Sequence, residues 1–82
     1  MTRDEFADLA VGHLEEIAAF VRRHAASAAD ADDAVQTTYA RAFSSWSDLR
    51  DPRSCRAWLF RIARNVLLDV ARAEAFPIPH GQ

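Results

Sequence analysis

Residues 56–73 read RAWLFRIARNVLLDVARA, four arginines and one aspartate in eighteen positions. Placed on a helical wheel at about 100° per residue, Cys55, Leu59, Ile62, Val66 and Val70 fall together on one side. Arg61, Arg64, Asn65, Leu68 and Arg72 fall within an arc of about 100° on the other. The stretch is therefore a helix with one core face and one basic face. Elsewhere the chain has only two glycines and three prolines, and no window alternates apolar and polar residues as a half-buried strand would. The fold class that follows is all-α.

Working outward, Ser54 can cap this last helix, which is expected to run to about Ala75. Before it lies SSWSDLRDPRS, residues 44–54, serine-rich and the only long internal loop the sequence suggests. Pro52 pushes Asp51 out of helical geometry. A preceding helix is expected from a Ser27 cap to about Ser45, with Asp30, Asp32 and Asp33 in its first turns, where the helix dipole favours negative charge. Ala31, Val35, Ala42 and Trp46 share a face of it, with Thr38 and Tyr39 beside them. The first helix is expected from about Arg3 to about Ala25. Thr2 and Glu5 have capping-box spacing, and Phe6, Ala10, Leu14, Ile17, Val21 and His24 recur at helical spacing as its buried stripe. Gly12 marks either a close packing contact or a break in that helix.

Eighty-two residues make one domain at most, near the small end for a single core. No apolar run approaches the ~20 residues of a membrane span, and there is no signal peptide, so the expected location is cytoplasmic with no membrane insertion. The lone Cys55 cannot form an internal disulfide, in keeping with a reducing compartment. His13, His24 and His80 lie far apart and lack metal-ligand spacing with Cys55, and no glycine-rich phosphate loop occurs. Neither a metal, a cofactor nor a catalytic constellation is expected, and an enzyme is the least favoured class.

Charge divides the chain. Residues 1–49 hold four arginines against nine acids, a net of −5; residues 50–82 hold six arginines against three acids, a net of +3. One acidic and one basic surface would suit two partners, or two solvated helix faces. The arginine stripe alone names no ligand. Asn65 among arginines has the chemistry to read a base edge while guanidiniums hold phosphates. Trp46, Trp58, Phe60 and Phe43 near the loop could stack bases or pack the helix junction; Trp58, at the edge of the core face, reads as structural.

Taken in order, DADDAVQTTYARAFSSW (residues 30–46), a short loop and RAWLFRIARNVLLDVAR (residues 56–72) closely resemble region 2 of the extracytoplasmic-function (ECF) sigma factors of bacterial RNA polymerase. The resemblance covers roughly residues 10–72. It implies a small three-helix bundle, or four helices if the first is broken, over residues 1–75, with residues 76–82 (FPIPHGQ) starting a linker to a second helical domain. It implies that the helix after Ser27 docks on the clamp helices of the polymerase β′ subunit through Asp33, Gln36, Thr37, Arg41 and Phe43. The loop would capture a base flipped from the non-template strand of the promoter −10 element. DNA contacts would come from Arg50, Arg53, Arg56, Arg61, Arg64, Asn65 and Arg72, with Asn65 on a base. An anti-sigma factor is a further implied partner. Thr37 stands where most relatives carry Glu, and Ala34 where Leu is usual. The competing expectation is a helical adaptor that binds protein only, its arginines serving solubility.

Overall fold

The computed structural model describes residues 1–75; the expected linker at 76–82 lies outside the described residues. Four α-helices occur among them and no strand: α1 (Arg3–Gly12), α2 (Leu14–His24), α3 (Ala28–Ser44) and α4 (Cys55–Ala75). The expected first helix is thus two. The interruption sits at His13 (φ −102°, ψ 4°), which ends α1 and begins α2 without a side-chain cap. A Cβ added to Gly12 would meet nothing within 4 Å, so the glycine belongs to the break and not to a close packing contact.

The break leaves the Ala10 carbonyl with two donors from outside the regular helix pattern. His13 N–H reaches it at 3.2 Å and the Tyr39 hydroxyl of α3 donates to it at 2.7 Å. A side chain 29 positions away therefore ties α3 to the end of α1. Burial pushes the Tyr39 hydroxyl pKa up to about 12, with the nearby Cys55 adding to the shift.

Caps behave largely as the sequence suggests. The Thr2 hydroxyl accepts from Glu5 N–H at 3.2 Å and donates to the Glu5 carboxylate; the Ser27 hydroxyl accepts from Asp30 N–H at 3.1 Å. Ser54 does not cap the last helix. Asp51 does that work one turn earlier, accepting from Arg53 N–H at 3.0 Å at the head of a 3₁₀ turn over Pro52–Ser54 that leads into α4. Asp51 is extended, as the proline after it requires. A second 3₁₀ turn, Trp46–Asp48, follows α3, and Leu49 between the two turns is buried. The expected long loop is therefore short, partly helical and anchored by an apolar side chain.

Helix α4 packs along α3 and α2 and reaches α1. Phe6, Ile17, Val21, Leu59 and Val66 form the fully buried centre, with Ala10, Ala31, Ala34, Ala42, Cys55 and Ala63 filling the narrow contacts. Alanine, by its size, lets the helices close. Thr38 is buried with its hydroxyl donating to the Ala34 carbonyl at 2.7 Å. The Phe6 ring lies edge-on to Phe43 (5.3 Å) and Trp58 (5.7 Å) and tilted against Trp46 (6.5 Å), an arrangement aromatic quadrupoles favour.

Three residues expected in the core are outside it. Leu14 and Val70 are 40% and 42% exposed. His24 is exposed, its ring 4.9 Å from Phe20. Val70 lies at the edge of an open cleft that Ala25, Ala26 and Ala34 share with His24, Asp30, Leu67 and Glu74, and nothing there covers it. Leu14 lies along the rim between α2 and α3, beside Ala18 and Val35.

Candidate nucleic-acid and protein interfaces

The basic side of α4 is not uniform, because its arginines differ in what they already hold. Arg61, Arg64 and Asn65 are exposed and line an open groove of about 520 Å³ together with Phe20, Ala57, Phe60 and Leu68. Phe20 comes from α2, and its ring meets Phe60 edge-on at 5.3 Å. Among the described residues no acid lies within ion-pair distance of Arg61 or Arg64. Two uncompensated guanidiniums, an amide and aromatic edges therefore share one concave surface. Around the corner, Arg50 and Arg61 line a second cleft with Asp48, Leu49, Ser54 and Trp58, where the two 3₁₀ turns meet α4.

The remaining arginines are engaged internally. Arg53 donates through its backbone N–H, Nε and Nη2 to the Asp51 carboxylate at 3.0–3.2 Å, which holds that carboxyl below its usual pKa. Arg56 donates through Nε (2.9 Å) and Nη2 (2.7 Å) to a single oxygen of Glu16 on α2, and lies 4.8 Å over the Phe60 ring. The Glu16 carboxyl is lowered mainly by the hydrogen bond from Arg56, and its other oxygen faces His13 Nδ1 at 3.8 Å. Arg72 lies 3.9 Å from Asp69, which also takes a 3.0 Å hydrogen bond from Arg41 of α3. Of the seven expected DNA-facing residues, the structure gathers Arg61, Arg64 and Asn65 in one groove and Arg50 beside it, and leaves Arg53, Arg56 and Arg72 paired with acids.

On α3, Gln36, Asp33, Thr37 and Arg41 follow one another around a single exposed arc about 140° wide. Gln36 borders the rim of Leu14, Ala18, Arg22 and Val35 on the α2 side. Asp33, Thr37 and Arg41 border Asp69 and Val70 on the α4 side. Phe43 is apart from these, half-buried against Phe6. Ala34 is buried on α3 and borders the clefts beside Val70.

Glu16, Leu14, Phe20 and Leu49 join these surfaces without having been expected there. Phe20 carried a faint signal, an aromatic off the buried stripe of its helix. Glu16 carried none, since its partner is 40 positions away. Cys55 is buried and its thiol pKa is raised by desolvation, which keeps it protonated and unreactive. Among the described residues no group of His, Cys, Asp and Glu could hold a metal ion, and no helix is long and apolar enough to cross a membrane.

Compared with known families, residues 9–76 match the model of Sigma-70 region 2. The chain belongs to the Sigma-70 region 2 family. The sigma region 2 chain is also similar to the RNA polymerase sigma factor CnrH of Cupriavidus metallidurans, 36% identical over 67 residues, covering 82% of this chain and 35% of that protein. It is similar to the ECF RNA polymerase sigma factor SigL of Mycobacterium tuberculosis, 40% identical over 67 residues, covering 76% of this chain and 38% of that protein. It thus spans little more than a third of the length of these curated relatives. No solved structure matches it. The all-α bundle and the ECF resemblance agree with this membership, and the sigma pattern runs through both surfaces just described: the exposed arc of α3 and the basic groove of α4.

Proposed function

We propose that this chain is the part of a sigma factor that docks on the β′ clamp helices of core RNA polymerase and holds the promoter −10 element open. The reading rests on one observation above others: the groove in which Arg61, Arg64 and Asn65, without internal acid partners, lie against Phe20 and Phe60. Guanidiniums there bind strand phosphates, Asn65 contacts a base edge, and aromatic edges support unpaired bases, each stack contributing ~1–3 kcal/mol. The cleft at Arg50, Leu49 and Trp58 receives the base extruded from the non-template strand. Extrusion costs a few kcal/mol, and a site that binds only the extruded base shifts the population toward the open state. No catalytic step is needed.

The exposed arc of α3 is the polymerase-facing surface. Gln36 beside the exposed Leu14 offers an amide and an apolar contact, which a protein partner would bury together. An anti-sigma factor covering that rim would compete with polymerase. In this reading the work is cytoplasmic, where polymerase and promoter are, and a chain of net charge −2 binds DNA because only one face meets it.

The test is a titration of the protein with a β′ clamp-helix fragment, comparing wild type, Gln36→Ala and Arg64→Ala. Wild type is expected to bind, Gln36→Ala to lose most of that binding, and Arg64→Ala to keep it while losing affinity for single-stranded −10 DNA. No clamp binding at high micromolar concentration would instead favour the protein-only adaptor.

A further inference from the structure

Arg56 differs from every other arginine on the basic side in having its acid partner on another helix. Arg53 is paired with a residue two positions away, and Arg72 with one three positions away on the same helix. Both donors along one edge of the Arg56 guanidinium are spent on Glu16, which reaches across from α2. The plane lies over Phe60, a wall of the groove that holds Arg61 and Arg64. Arg56 is thus at the rim of the basic groove but neutralised. Neither partner is buried: the side chains are 58% and 49% exposed, so a phosphate can approach and water can take over either group.

We propose that Glu16 is an internal competitor for nucleic-acid phosphate, occupying Arg56 so that this arginine adds nothing to binding until the pair opens. The proposal rests on the DNA-binding reading of the α4 groove. Arg56 cannot serve both partners along that edge. While the pair holds, Arg56 makes no phosphate contact and displaces no condensed cation from the strand. Without Glu16 it makes that contact and displaces one. The carboxylate's lowered pKa keeps it ionised near neutral pH, so the competition is permanent and not switched by mild acid.

Salt dependence isolates this effect. The 82-residue protein is titrated with a mixed-sequence single-stranded 12-mer over a range of salt concentrations, as wild type, Glu16→Gln, Glu15→Gln, Arg61→Ala, Arg56→Gln and the Glu16→Gln/Arg56→Gln double variant. Glu15 is the exposed neighbour with no ion-pair partner among the described residues, so it controls for net charge alone. Glu16→Gln is expected to bind about two- to fivefold more tightly at low salt, the range an exposed pair commands. Its plot of log K against log salt should steepen by about 0.7, one further phosphate contact on a single strand. Glu15→Gln should leave the slope unchanged, and Glu16→Gln should do nothing in the Arg56→Gln background. If Glu16→Gln matches Glu15→Gln while wild type binds and Arg61→Ala weakens it, the competitor role is wrong and the groove reading stands. Weaker binding by Glu16→Gln would make Glu16 a positioning residue and overturn the proposal. No binding by any form at low salt would remove the DNA reading and this inference with it.

Discussion

Replacing Gly12 by alanine is expected to stabilise the protein, and the structure decides the sign. A glycine at the end of a helix is often there because the chain turns left-handed, where any Cβ is strained. Gly12 is instead the last helical residue of α1, its φ lies outside the left-handed region, and an added Cβ meets nothing within 4 Å. Alanine therefore inherits an allowed conformation and removes conformational freedom from the unfolded chain only. Glycine inside a helix costs about 0.5–1 kcal/mol relative to alanine, and a terminal position earns the lower half of that range. For a domain of this size, 1 kcal/mol shifts the melting temperature by about 4–8 °C, so a gain of about 0.5–0.75 kcal/mol gives about 2–6 °C. Paired urea titrations of wild type and Gly12→Ala provide the assay, with the midpoint rising at constant slope. The interruption at His13 should persist, because Tyr39 still occupies the Ala10 carbonyl that a continuous helix would use. A lowered midpoint would refute the reasoning: it would mean that the break depends on glycine's own conformational freedom and not on the tie from Tyr39.

Tyr39→Phe should destabilise by about 1 kcal/mol at pH 7 through loss of the hydrogen bond to Ala10, read as a lower urea midpoint. The folded hydroxyl keeps its proton to about pH 12, whereas an unfolded tyrosine releases it near 10. The folded state therefore binds more protons in between, so wild-type stability declines from pH 10 to 12 and its advantage over Tyr39→Phe closes there; a constant gap across that range would contradict the raised pKa of this partly buried hydroxyl. Leu49→Ala should cost roughly 2–3 kcal/mol, the lower part of the range for buried leucines since its site borders solvent, and hydrogen exchange should quicken first across residues 45–54. Arg64→Ala should reduce the salt slope of single-stranded DNA binding by about 0.7, whereas Arg72→Ala, already beside Asp69, should change it less; equal losses would show that internal pairing does not grade the arginines.

Much of the fold was legible because alanine-rich helices with one apolar stripe declare themselves at a period of 3.6. The boundaries at Thr2 and Ser27 rest on local chemistry that a sequence displays directly, whereas the cap expected at Ser54 is supplied by Asp51, ahead of Pro52. The errors share a cause. Whether Leu14 and Val70 are covered depends on what another helix presents to them, and the alanines there, set among polar and charged side chains, leave open clefts. Leu49 is the converse: an apolar residue amid serines and charges, given no helical period to report it, yet buried because two 3₁₀ turns fold it inward. The break at Gly12 could be suspected from the glycine, but its stabiliser, Tyr39, is 29 positions away.

For the surfaces, the wheel placed Arg61, Arg64 and Asn65 on one face correctly, since direction on a helix follows from spacing alone. It could not say which of the arginines remain available. Availability is set by acids arriving from elsewhere: Glu16 on α2 for Arg56, Asp51 in the turn for Arg53, Asp69 shared between Arg41 and Arg72. Counting charges along residues 50–82 therefore overstates the attraction a strand would feel. Once those pairs are set aside, the uncompensated charge contracts to Arg50, Arg61 and Arg64, which line the two adjoining depressions where α4 meets the turns and Phe20. A chain of net charge −2 can in this way still present the unpaired arginines of this segment side by side, and under the proposed function those arginines, not the paired ones, hold the strand.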